Sequence, residues 1–161
     1  METIVVLMDH QVLRRGTDHG AQLDYGRLLE YLAAGRRIKE AYGFAAIDPR
    51  SGSAGDRDSE ALRMHGYLVS SRAASGNAGT CDFGVELAVE LVRIVHEIGP
   101  DVVVLVSDDA RLAPAIEYAR RKGVKIEAAS FRRDASRDFL RLCSGFIELD
   151  GWLVQPGGGE P

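Results

Sequence analysis

The sequence predicts a three-layer α/β sandwich, a mainly parallel sheet of five or six strands with helices on both faces. Two observations carry this. Apolar runs of strand length recur along the chain and alternate with stretches of helical period. Two of those runs, 4–8 and 102–106, are apolar at every position rather than at alternate ones, the pattern of central strands covered on both sides. Strands joined through helices of this length need right-handed crossovers, and hence parallel pairing.

Taken in order, TIVVLM (3–8) is the first buried strand. After a loop, LDYGRLLEYLAA (23–34) sets Leu23, Leu28, Leu29 and Leu32 on one helical face, and Gly35 supplies the stop. RIKEAYGFAAI (37–47) is a second strand. DPRSGSAGDRDSE (48–60) is a loop by its Gly, Ser and charge content, and SEALRMHG leads as a short helix into the strand YLVSS (67–71). Another polar stretch, 72–80, precedes the longest helix, 83–98, with Val85, Ala88, Val92 and Val95 on its packing side and Glu86, Glu90, Arg93 and Glu97 opposite. VVVLV (102–106), a helix over 114–123 stopped by Gly123, the strand 124–130, a short helix 135–143 and the apolar patch FIELD (146–150) complete the pattern. One domain over 1–150 accounts for all of it. The Gly- and Pro-rich segment 151–161 is a flexible tail, frayed beyond Val154, with Trp152 as its anchor and FIELDGWLV open as part of a homodimer face.

Composition narrows the function. The net charge of −4 argues against a protein held on nucleic acid by overall basicity, although basic pairs such as Arg14-Arg15 and Arg132-Arg133 leave local patches. The apolar runs fall far short of the ~20 residues that cross a bilayer, so the expectation is a soluble cytoplasmic protein with no membrane partner. Cys81 and Cys143 match no metal-ligand spacing and are read as reduced thiols. His10 is read as a partly exposed loop histidine.

The chemistry-bearing residues are acids at strand ends, where open parallel sheets bind ligands. The first strand ends in Asp9, the strand 102–106 in Ser107-Asp108-Asp109, and Asp82 opens the long helix on the same rim. A helix N-cap explains one acid per helix. It leaves unexplained a second carboxylate beside the first, and Asp9 at the end of another strand. With no cationic side chain obviously at hand, a shared hard cation such as Mg²⁺ is the reading that neutralises them, and it is one suited to phosphodiester hydrolysis.

On these same residues the chain resembles the NYN domains of the PIN-like nuclease superfamily, sometimes called LabA-like. That family runs strand then Asp-x-x-Asn, later Lys-Gly-x-Asp into a long helix, then strand, Ser-Gly-Asp-x-Asp-Phe and a helix-opening Pro. VVLMDHQVL (5–13), GTCDFGVELAVEL (79–91) and VVVLVSDDARLAPAIEYARRKGVKIEAASF (102–131) are similar to the three blocks, and the likeness continues through LRLCSGFIELD (140–150). The resemblance implies a Rossmann-like topology and a Mg²⁺- or Mn²⁺-dependent ribonuclease. Asp9, Asp82 and Asp109 would be its metal acids and Asp108 would orient water. Ser107, Arg111, Arg14 and Arg15 would stand near substrate phosphates, with RNA as partner.

The departures from the pattern imply something else. Val12 stands at the family Asn, Gly79 at the Lys, Asp108 at the Gly, and Arg111 at the last Asp of the third block. Beside Asp109 an arginine forms a bidentate ion pair in the metal's place. The alternative is therefore a catalytically impaired domain that binds RNA or another protein. A receiver domain, a haloacid-dehalogenase phosphatase and a dinucleotide site each lack a required residue: the acidic pair after the first strand with a lysine after the last, the Asp-x-Asp, and the Gly-rich turn.

Overall fold

The computed structural model describes residues 1–18, 20–50, 56–75 and 79–154. Six strands form one sheet: β1 (Thr3–Asp9), β2 (Arg37–Ile47), β3 (Leu68–Ala73), β4 (Val102–Val106), β5 (Lys125–Ser130) and β6 (Gly145–Glu148). Their spatial order is β3-β2-β1-β4-β5-β6. Every neighbouring pair is parallel. The helices between them are α1 (His10–Arg15), α2 (Tyr25–Ala33), α3 (Arg57–Met64), α4 (Gly84–Glu97), α5 (Ala113–Arg121), α6 (Arg137–Leu142) and α7 (Leu149–Leu153).

The period-2 geometry of β1 and β4 explains their unbroken apolarity. Ile4, Val6 and Met8 join Val102, Val104 and Val106 in one core with Leu13, Leu28, Leu62 and Trp152. Val5 and Leu7 join Val103 and Leu105 in the other with Leu87, Leu91, Ile94, Ile116 and Phe139. The first core is roofed by α1, α2, α3 and α7, the second by α4, α5 and α6, so both faces are dry.

Three local expectations give way. The stretch after β1 is a helix, α1, whose N-cap is Asp9 itself. On α4 the fully buried residues are Leu87, Leu91, Ile94 and Val95, with Ala88 and Val92 partly buried against the same core, so of the expected packing side only Val85 turns outward, at 75% exposure. The packing side is wider than the valine spacing alone suggests, and its centre is taken by the larger leucine and isoleucine side chains. At the C-terminal end α7 carries the chain through Leu153 where a tail was expected from 151, with Leu149 and Trp152 buried against the first core and Val154 81% exposed. The rest of the tail, 155–161, lies outside the described residues, as do 51–55 and 76–78 of the two polar loops and His19.

The topology positions the site. From β1 the chain winds outward through β2 to β3, then returns to β4 and winds the other way. The crevice at this reversal lies between the carboxyl ends of β1 and β4, where ligands of such sheets bind. Met8 pairs with Val106, which sets Asp9 beside Ser107.

Candidate functional site

Each rim acid is first of all a turn-former. An Asp oxygen accepts the amide of the residue two places on: Asp9 from Gln11 at 3.0 Å, Asp82 from Gly84 at 2.9 Å, Asp109 from Arg111 at 3.0 Å. Local turn chemistry therefore accounts for all three: Asp9 and Asp109 cap the helical turns that follow them, and Asp82 closes the turn just before Phe83, which stands at the cap of α4. Ser107 is buried and its Oγ accepts the Asp109 amide at 3.2 Å, closing the same turn.

The second layer of contacts neutralises these acids from within the chain. The Arg111 guanidinium bridges two of them, donating from Nη1 and Nη2 to Asp82 at 3.0 and 2.7 Å and from Nε and Nη2 to Asp109 at 3.0 and 2.7 Å. Arg15 makes a bidentate pair with Asp108, both contacts at 3.1 Å. Asp9 is held by an amide: Gln11 Nε2 donates to Asp9 at 3.1 Å and to the Cys81 carbonyl at 2.9 Å, while Gln11 Oε1 accepts the Cys81 amide at 2.8 Å. A cation for the acids was thus encoded in the chain, contrary to the reading that none was at hand.

Electrostatics follow the contacts. Hydrogen bonds from Arg111, then from the Gly84 amide, hold the Asp82 carboxyl down at about 2. Arg111 also holds Asp109 below the ordinary carboxylate range, against partial burial and the Asp82 charge. Asp9 moves the other way, because burial raises it by more than the Gln11 bonds lower it. The guanidinium lies over the first turn of α4, where a Cβ on Gly84 would stand 2.7 Å from Arg111 Nη2. Gly84 thus leaves room for the bridge.

Arg14 does not reach the rim. It sits one position before Arg15, on the other side of a short helix, and donates to both oxygens of Asp58 at 3.0 and 2.6 Å and to the Ala21 carbonyl at 2.9 Å. Behind Asp9, His10 is 3% exposed rather than loop-like, with Nε2 2.6 Å from the Tyr25 hydroxyl and 3.9 Å from Asp58. This network ties α1 to α2 and α3 and fixes the helix that Asp9 caps. Val12, at the family Asn position, is core. Gln11 is the residue that sequence reasoning missed; its only signal is an amide in the turn after a strand-end acid.

Mg²⁺ or Mn²⁺ is the group the resemblance implies, and the donor set can be tested against it. Among the described residues no three His, Cys, Asp or Glu side chains converge to hold a metal ion. The contacts give the reason: the oxygens of Asp82 and Asp109 face one guanidinium, and Asp9 faces Gln11. In this arrangement the residues do not fit the metal. Among the described residues no helix is long and apolar enough to cross a membrane, and neither Cys81 nor Cys143 is in a disulfide.

A family model described as the NYN domain matches residues 3–150. Among solved structures, the chain is similar to a protein of unknown function from Vibrio parahaemolyticus RIMD 2210633, at 19% identity over 94% of each chain, with a TM-score of 0.73. That likeness is one of fold. No curated protein matches the chain.

Proposed function

The chain belongs to the NYN domain family of the PIN-like nuclease superfamily, and on that premise we propose that it is a member that binds RNA without cleaving it, its acids closed by Arg111 in place of a divalent cation. The observation that carries this reading is the single guanidinium shared by Asp82 and Asp109. A metal ion needs those same oxygens free, and a second cation beside Arg111 is repelled by it. RNA is the partner class to which NYN nuclease domains generally bind. Arg111 and Arg15 are solvent-accessible on the rim, each oriented by carboxylates. Because those carboxylates cancel much of their charge, phosphate binding is weak and strongly salt-dependent.

A second reading, a Mg²⁺- or Mn²⁺-dependent ribonuclease, is favoured by one specific observation. Arg111 is mostly exposed, so rotation of one side chain frees two of the three acids. Incubation with single-stranded and hairpin RNA, with and without each ion, separates the two. The proposal expects a salt-sensitive anisotropy change and intact RNA under every condition. Cleavage that needs the ion and disappears in Asp9→Asn sinks the proposal in favour of the ribonuclease; absence of any RNA binding sinks both.

A further inference from the structure

Beside α3 the sheet ends in the edge strand β3. Among the described residues β3 pairs with β2 on one side and with no strand on the other. The Ala74 amide donates to the Ile47 carbonyl at 2.7 Å. Alternate residues of a parallel strand bond to opposite sides, so Val69, Ser71 and Ala73 turn their N–H and C=O groups outward. Soluble proteins normally blunt such an edge with lysine, proline, a bulge or short length. β3 has none of these: its one charge, Arg72, is turned back onto Glu86 of α4 at 2.7 Å and the Asp82 carbonyl at 2.7 Å. The opposite edge, β6, spans only Gly145–Glu148 and is partly buried along its length.

The helix beside this edge says what kind of partner fits. On α3, Ser59 and Leu62 are buried and Asp58 reaches across to Arg14 of α1. Helical spacing then puts Glu60 and Arg63, three residues apart, on the opposite flank, toward the free edge. Both are exposed, and neither is in an ion pair among the described residues. Met64, at 84% exposure, adds apolar surface next to them.

We propose that a second copy of this chain docks here, its β3 antiparallel to the first across a two-fold axis. In that arrangement Glu60 of each copy meets Arg63 of the other, giving two reciprocal opposite-charge pairs, while uncharged Val69, Ser71 and Ala73 line the strand junction. A symmetric interface has to be self-complementary in this sense, and an exposed Glu60 and Arg63 beside a strand whose outward-bonding residues are uncharged meet that condition with a copy of themselves. The inference does not depend on whether the rim binds RNA.

Sedimentation velocity on the full chain across a concentration series tests it, with Glu60→Lys, Arg63→Glu and the double swap as variants. All three changes are on exposed side chains, and circular dichroism confirms the fold. The expected result is a dimer of the native chain, a dissociation constant weakened roughly tenfold by either single reversal, and recovery in the double swap. A native chain that stays monomeric throughout overturns the proposal. So does a dimer indifferent to the single reversals, or a double swap as weak as its parents.

Discussion

Lowering the pH from 7 to 4 destabilises the domain through His10, by an amount that follows from its burial. The ring is 3% exposed and faces Tyr25, Asp58 and Arg14. Burial lowers its pKa from 6.5 to about 4, with Asp58 pulling upward and Arg14 downward. A depressed histidine stays neutral in the fold while the unfolded chain takes up a proton, so its contribution is complete above pH 6.5 and is lost as pH falls toward 4. Integrated over that window, the loss is about 2 kcal/mol by pH 5 and about 3 kcal/mol by pH 4, a large share of the 5–15 kcal/mol typical of a domain. Asp9, raised by burial, acts with the opposite sign where it titrates above 3.8, and it does so equally in a variant that lacks only His10. Urea unfolding from pH 7.5 to 4 of the native chain and of His10→Gln therefore isolates the term. His10→Gln should be the less stable at pH 7 and should lose less on acidification. Parallel profiles for the two proteins would refute the claim that His10 is held neutral by the fold.

Other outcomes follow from particular contacts. In Arg111→Ala the Asp82 carboxyl should climb from about 2 toward the ordinary 3.8, which a carbon-13 NMR titration follows directly. Gly16→Ala drives a methyl into the ring of buried Phe131, and overpacking of that kind should cost about 1–3 kcal/mol, read as a lowered unfolding midpoint. The inner and outer sides of α4 should separate cleanly: Leu91→Ala at 0% exposure loses about 2–5 kcal/mol. Val89→Ala, on the outer side, changes stability by less than about 0.5 kcal/mol in the same melts.

The sheet was legible because its central strands carry their burial in composition. Val102 to Val106 admit no polar residue, and Arg37–Ile47 coincides with its expected span at both ends. Elements at the margins were less so. HQVLRR has too few residues to show a helical period, so α1 emerges only once Asp9 caps it and Val12 and Leu13 enter the core. On α4, spacing placed Ala88, Val92 and Val95 toward the sheet but not the centre of the contact, which Leu87, Leu91 and Ile94 fill while Val85 turns outward. At the site, the strand-end rule located the acids on one rim, and the arginine at position 111, where the family has an acid, pointed to the ion pair that forms there. What spacing could not convey is direction. Arg14 and Arg15 are adjacent in sequence, yet one is committed to Asp58 and the other to Asp108. Gln11 gains its role only from a Cys81 backbone that is distant along the chain.

Arg111 stands between Asp82 and Asp109, where the proposed function needs it to take a metal's place. Calorimetric titration of Mn²⁺ into the native protein, at neutral pH and low salt, measures this directly. Absence of saturable heat is the predicted result. Binding of one ion at micromolar affinity, abolished in Asp109→Asn, would contradict it.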